Sequence, residues 1–338
     1  MRFLSGLSDA FRGVYRAPMS RARTLSDLGE ARLIDRIARA AGRLDQSGVV
    51  LGIGDDAAIL RPGPREDWVT STDVTVEDVH FRWSEQSAFS VGRRALVANL
   101  SDLAAMGARP LAFTLALGAP PDLELALFDG LFRGLLREAA IHGCPLVGGN
   151  LARARQTSLA IHVLGRVPRG RALRRDGVRR GDHLFVTGQL GAAALARARA
   201  EQDGRPIRQL PVPRLEAGQA LLRLTGRGAC IDLSDGLLAD LGHLLDGPGL
   251  GAVLEAQRLP LPRDFRRRCR ELGLDPLKLA ISGGEDYELL FSLRPSAAAR
   301  HSASDLSRRL GVRVTPIGRV TADPGITGVP EVESFLHY

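Results

Sequence analysis

Cysteine is scarce in this sequence: Cys144, Cys230 and Cys269 are the only three, at spacings that match neither a disulfide framework nor a metal knuckle. A disulfide-built secreted scaffold and a cysteine-ligated zinc module are thereby excluded, and a reducing, cytoplasmic compartment is expected. No window approaches the roughly 18 consecutive apolar residues of a membrane span, and the first 24 residues lack the apolar stretch of a secretory signal. Aromatics make up 5% of the chain, and Lys278 is the only lysine. The net charge of +8 therefore rests on arginine, concentrated at 166–180 and 263–270 without interleaved aromatic rings. Stacking platforms for bases are too few, so neither a nucleic-acid nor a membrane partner is expected. Also missing are the Walker A loop, a helix-opening GxGxxG, the protein-kinase HRD and DFG motifs and the GxSxG elbow, which removes the common nucleotide folds and the serine hydrolases.

What is present describes two globular domains. The chain has 338 residues, of which 44% are hydrophobic and 25% charged. Residues 1–24 read as a basic extension. An amphipathic helix over Leu28–Ala41 opens the folded part, with Leu33, Ile34, Ile37 and Ala41 at helical spacing. Short β-like runs follow at Val49–Ile53 and Val69–Thr72, then a helix over Gly92–Gly107, a strand over Leu111–Leu117 and a helix over Leu123–His142. Strands at Pro145–Val147 and Ser158–Arg166 complete an α/β domain spanning 25–167. After a boundary near Val167–Asp182, Leu184–Ala200 gives a strand, a glycine turn and an Ala-rich helix, broken by a loop at Glu201–Pro213. A helix from about Arg214 and strands at Ala229–Leu233, within EDYELLFSL and near Val314–Val320 make an α+β domain over 168–338.

The recurring chemical feature is acid at the ends of apolar strands. GIGDDAAIL carries Asp55 and Asp56, STDVTVEDVHF carries Asp73 and Asp78, and IDLSDGL carries Asp232 and Asp235. One such turn alone is ordinary, because Asp caps backbone groups. Three that converge would repel one another unless a cation lies between them. Magnesium is the hard cation that carboxylates and neighbouring hydroxyls, here Ser71, Thr72 and Ser234, accept. Asn99 and Asp102 form a polar pair on an otherwise apolar helix, and either cap a neighbouring loop or reach a metal. The glycine-rich VGGN (147–150) and SGGED (282–286) permit close backbone approach to a phosphate or a nucleotide ring. His80, inside the acid-rich VEDVHF, is open to a substrate role.

In sequence order, GIGDDAAIL, STDVTVEDVHF, RRALVANLSDLAAMGARP, LVGGN, the ALRRDG to LFVTGQLG run, IDLSDGLLADLGHLL, ISGGEDYELLF and the terminal FLHY resemble the thiamine-monophosphate kinase family from about Leu28 onward. That family belongs with aminoimidazole ribonucleotide synthetase, selenophosphate synthetase and the hydrogenase maturation dehydratase. The last two carry reactive cysteines near the N-terminus and at the C-terminus, respectively; here none precedes Cys144 and the last residue is Tyr338.

The resemblance implies an α/β (α+β), two-domain aminoimidazole ribonucleotide synthetase-like fold, with the N-terminal domain pairing across a homodimer. It implies transfer of the γ-phosphoryl group of ATP to thiamine monophosphate, assisted by several Mg²⁺ ions and with no covalent protein nucleophile. Asp56, Ser71, Thr72, Asp73, Asp102, Asp232 and Asp235 stand where the family holds its metals. Gly149, Asn150, Arg175 and Ser234 match its ATP contacts, and His80, Glu285 and Phe335 its substrate contacts. The family's Gly-Gly-Asp-Thr-Thr reads Gly148-Gly149-Asn150-Leu151-Ala152 here, an amide in place of one carboxylate.

Overall fold

The computed structural model describes residues 24, 30–42, 49–51, 59–60, 63–204, 206–207, 210–226, 228–246 and 248–330. Asp55, Asp56, Phe335, the FLHY ending and all of the basic extension except Thr24 lie outside the described residues. The chain divides into two compact units, one of Met1–Pro64, Thr70–Asn99 and Pro110–Leu164, the other of Arg65–Val69, Leu100–Arg109 and Gly165–Tyr338.

The first unit opens with α1 (Glu30–Ala41), whose charged face leaves Leu33, Ala40 and Ala41 buried. Two short strands, β1 (Val49–Leu51) and β2 (Ile59–Leu60), pair antiparallel. Then come β3 (Glu66–Val76), α2 (Ala88–Ala105), β4 (Arg109–Ala119), α3 (Leu125–His142), β5 (Leu146–Arg153) and β6 (Ser158–Pro168), whose strands form a four-stranded sheet in the order β3-β6-β4-β5. α2 starts earlier than the expected Gly92, whereas α3 starts two residues later than the expected Leu123. For α2 the reason is Ser87, whose Oγ accepts from Ser90 N at 3.2 Å, so the helix begins at Ala88 and not at Gly92. α2 and α3 are tied by a largely buried charge cluster in which Glu138 takes Arg93 and, at 3.3 Å, His142. The apolar core here includes Leu96, Phe113, Phe128 and Leu135, all almost fully buried.

The second unit holds a six-stranded sheet in the order β12-β9-β11-β7-β10-β8. Its elements, in chain order, are β7 (His183–Thr187), α4 (Ala192–Asp203), α5 (Leu215–Thr225), β8 (Cys230–Asp232), α6 (Leu237–Asp246), β9 (Gly251–Leu254), α7 (Phe265–Glu271), α8 (Pro276–Ser282), β10 (Leu289–Leu293), α9 (Pro295–Ala298), α10 (Ala303–Leu310), β11 (Val314–Thr321) and β12 (Gly325–Thr327). Neighbouring strands are antiparallel except β12 and β9, which run parallel. Leu184, Val186, Ile231, Leu241, Leu244, Leu290 and Ile317 lie in one buried cluster that joins the sheet to α6. Two mixed α and β units agree with the expected fold class. No described helix is long and apolar enough to cross a membrane, and all three cysteines are free.

Three expectations about elements are corrected. β3 is an 11-residue strand, well beyond Val69–Thr72. β5 continues to Arg153, beyond the expected Pro145–Val147, so VGGN lies within the strand. The loop expected from Glu201 begins only after Asp203.

Candidate active site

In the second unit β8 ends on Asp232, which is 3% exposed. The Asp102 carboxylate, on the segment of α2 that belongs to the same unit, faces it. Burial first, and then the Asp102 charge, push Asp232 up to about 7, while the Ser101 hydroxyl offsets part of the rise. That hydroxyl is itself buried and approaches Asp232 without completing a hydrogen bond of full geometry to any group. The polar pair flagged on α2 therefore splits in purpose. Asn99, in the first unit, is a cap: its Oδ1 accepts from Asp73 N at 3.0 Å and its Nδ2 donates to Ala95 O at 2.9 Å. Asp102 faces a second carboxylate.

Beyond Asp232 the chain turns through Ser234 and Asp235 into α6, and one buried side chain shapes that turn. Asp240 Oδ2 accepts from three successive amides, Ser234 N at 3.0 Å, Asp235 N at 3.1 Å and Gly236 N at 3.1 Å. Burial and then the Asp235 charge push Asp240 to about 7, against the pull of those amides. Sequence reading passed over Asp240, yet it carried a signal of the kind that singled out Asn99 and Asp102: an acid among Leu237, Leu238, Leu241 and Leu244 on an apolar helix.

SGGED packs directly on this turn. Glu285 N donates to Ser234 O at 2.7 Å and Tyr287 N to Leu233 O at 2.9 Å. A Cβ on Gly284 would lie 2.4 Å from Ser234 O, so only glycine permits this approach. Glu285 and Tyr287 both hold left-handed backbone, at φ of 66° and 49°. Three further interactions hold the segment. Glu285 pairs with Arg197 of α4. Asp286 accepts from Gly191 N at 2.6 Å and Ala193 N at 3.4 Å, capping the start of α4. Glu288, 4% exposed, takes both arms of Arg214 at 2.6 Å and the Thr187 hydroxyl at 2.7 Å. None of Arg197, Arg214, Asp286 and Glu288 was singled out from the sequence, because their partners are about 70 residues or more away along the chain. Arg175 occupies a short 3₁₀ turn, Arg175–Gly177, and is exposed.

In the first unit, Ser71, Thr72 and Asp73 lie on β3. The Thr72 hydroxyl donates to Ile161 O at 2.8 Å across the sheet, which leaves its lone pairs as acceptors. The His80 ring is set by the turn that carries it, since its Nδ1 accepts from Val76 N at 3.1 Å. Gly149 and Asn150 are exposed on β5, in parallel register with Leu115 and Ala116 of β4. A Cβ at Gly149 would stand 2.0 Å from Leu115 O. Strand packing alone therefore requires that glycine.

The structure thus brings Asp102, Asp232, Ser234, Asp235 and Glu285 together in the second unit, and sets Ser71, Thr72, Asp73, His80, Gly149 and Asn150 in the first. Among the described residues no three His, Cys, Asp or Glu side chains stand close enough to hold a metal ion. The Asp102 and Asp232 carboxylates, with the Ser101 hydroxyl beside them, nevertheless have the oxygen-donor chemistry that a hard divalent cation accepts.

Comparison with known proteins finds relatives that span both units. The family models of AIR synthase related protein match the chain over both parts, the N-terminal domain at residues 54–167 and the C-terminal domain at residues 179–330. Thiamine-monophosphate kinase of Salmonella typhimurium is 40% identical over 309 residues, covering 87% of this chain and 89% of that one. The crystal structure of thiamine-monophosphate kinase from Stenotrophomonas maltophilia K279a superposes with a TM-score of 0.76 at 36% identity, covering 89% of this chain and 96% of that one. AaThiL complexed with AMPPCP and TMP superposes with a TM-score of 0.70 at 28% identity over 95% of this chain and 100% of that one. With matches of this identity running through both units, and with the acid-bearing turns lying inside them, the chain belongs to the thiamine-monophosphate kinase family of the AIR synthase related proteins.

Proposed function

We propose that this chain transfers the terminal phosphoryl group of ATP to thiamine monophosphate, releasing ADP and thiamine diphosphate. An oxygen of the acceptor phosphate attacks the γ-phosphorus, and the bond to the β–γ bridging oxygen breaks as ADP leaves. Both reactants are anions, so charge neutralisation and alignment carry most of the catalysis and no protein nucleophile is needed. The observation that carries the reading is the buried Asp232 carboxylate facing Asp102 at a strand end, an arrangement that favours an external cation.

In this reading Asp102, Asp232 and Asp235, with Asp56, Ser71, Thr72 and Asp73 of the N-terminal domain (25–167), hold Mg²⁺. When bound, those ions supply charge neutralisation for the phosphates. Ser234, Arg175, Gly149 and Asn150 contact the nucleotide. Glu285 offers its carboxylate to the cationic thiazolium in exchange for, or together with, Arg197, and His80 and Phe335 complete the acceptor site. The Asp240 brace keeps Ser234 and Asp235 at fixed positions before the nucleotide arrives. The working form is a cytoplasmic homodimer built through the N-terminal domain. Support for that comes from β3 and β5, the two edges of its sheet, and from Val74 and Val79, which are 49% and 68% exposed.

The test is a coupled ADP-release assay with ATP and Mg²⁺, comparing thiamine monophosphate, thiamine and no acceptor, with thiamine diphosphate identified by chromatography. Turnover confined to the monophosphate is expected. Folded, ATP-binding protein that stays silent with that acceptor refutes the reading. Light scattering on the same sample is expected to give twice the chain mass.

A further inference from the structure

The second unit carries a cleft of about 700 Å³ whose lining includes Arg174 and Asp176, on either side of Arg175, but not Arg175 itself. The cleft sits at the beginning of β8, where Ser292 N donates to Ala229 O at 3.0 Å, whereas Asp232 is at the strand's other end. At the rise of a strand, that separation is roughly 10 Å. No residue assigned above to metal, nucleotide or acceptor lines it.

Its wall is rich in charge, and the charges can be paired off. Asp182, 2% exposed, accepts from Ser292 Oγ at 2.9 Å, from Arg179 N at 3.0 Å and from Arg294 at 3.1 Å. Asp176 takes Arg174 at 2.7 Å. Asp67 accepts from Gly170 N at 2.6 Å and lies 3.8 Å from Arg169. His301, the remaining titratable group on the wall, is held by Asp305 at 2.8 Å. Every carboxylate lining the cleft therefore has its own cation. Two guanidiniums are left over: the side chains of Arg179 and Arg300 make no ion pair or hydrogen bond among the described residues, and both residues are exposed on the cleft.

Arginine stays charged at any physiological pH and offers a planar fork of donors matched to phosphate oxygens. Arg294 lines the same cleft in a prearranged position, rooted on buried Asp182 and reaching Gly177 O at 3.4 Å. A cleft of this size suits a small ligand, and an excess of two fixed cations suits a dianion. We propose that this cleft binds a small phosphate-bearing anion, inorganic phosphate or diphosphate being its simplest representatives, at a site separate from the nucleotide's. The assignment does not depend on which reaction the acid-bearing turns perform.

The experiment is calorimetric titration of the full chain with inorganic phosphate and, separately, inorganic diphosphate, each with AMPPCP present at saturation to fill the nucleotide site. Binding that persists under AMPPCP and weakens about tenfold or more in the Arg179→Ala/Arg300→Ala double variant is expected, with partial recovery in Arg179→Lys/Arg300→Lys. Both side chains are exposed, so unchanged melting curves are expected to accompany the loss. Tighter binding of diphosphate means that the two guanidiniums grip separate phosphoryl groups, and tighter binding of phosphate means that they share one. Binding abolished by AMPPCP, equal binding by the double alanine variant, or no binding of either anion overturns the proposal.

Discussion

Asp232 and Asp240 are eight residues apart, both are almost fully buried, and burial pushes both to about 7. Each has a carboxylate neighbour, Asp102 for Asp232 and Asp235 for Asp240, but what offsets the charge differs. Asp240 directs its charge inward to three successive backbone amides, and its role ends in the shape of a turn. Asp232 looks across at Asp102 and meets the partial help of the Ser101 hydroxyl and of its own backbone amide. A raised proton affinity therefore does not distinguish a brace from a ligand. The hydrogen bonds that offset the charge do, because three amides satisfy the Asp240 carboxylate whereas Asp232, beside Asp102, is offset far less and favours a cation.

The largest effect is expected at Asp232. Asp232→Asn is expected to lower ADP release by about a thousandfold or more, while the metal-free variant melts no lower than wild type, since the amide removes a buried repulsion. A rate within a few-fold of wild type would show that Asp232 is a second brace. At Asp240 the expectation reverses in emphasis. Asp240→Ala strands three amides and is expected to destabilise the protein by about 2–4 kcal/mol in urea denaturation, with Asp240→Asn recovering part through its carbonyl oxygen. If Asp240→Ala loses turnover at full stability, the carboxylate is a ligand after all.

Asp286 sharpens the contrast with a pH-dependent effect. Burial pushes it to about 7, above its ordinary value of 3.8, against the pull of the amides of Gly191 and Ala193. The folded protein then binds the proton more tightly than the unfolded chain. Its contribution to stability is therefore greatest below about pH 4 and declines as pH rises to about 7. Asp286→Asn is expected to flatten the fall of melting temperature across that interval while keeping the cap; an unchanged slope would assign the fall to other groups. The smallest effect is expected at Asn150. Restoring the family's carboxylate with Asn150→Asp is expected to lower the Mg²⁺ needed for half-maximal rate about threefold, and an unmoved midpoint means that the side chain at 150 does not touch metal.

Much of this was legible from sequence because strand-end acids, amphipathic helices and glycine turns are local signals. IDLSDGL, SGGED and the α2 pair Asn99 and Asp102 were all found that way. What escaped depended on partners remote in the chain. The glycines of VGGN are explained by packing only once β4 is placed beside β5, where a Cβ at Gly149 would stand against Leu115 O. Glu288 is one acid among many until Arg214, 74 residues earlier, is seen to grip it. Helix α7, FRRRCRE, is hidden by its arginines, because only Phe265 and Cys269 face inward. β12 is too short to show any alternation. Asp56 and Phe335, read from the resemblance, lie outside the described residues.

The left-handed backbone at Glu285 and Tyr287 has a consequence for anyone seeking to harden this protein. Such a conformation costs a non-glycine residue about 1–3 kcal/mol, so a screen for heat tolerance has every reason to select glycine at these positions. Glycine at position 285 would relax the chain and delete the carboxylate that Arg197 now holds. Thermal selection and catalytic selection pull in opposite directions at this turn, and a library of stabilised variants should keep residues 285 and 287 fixed.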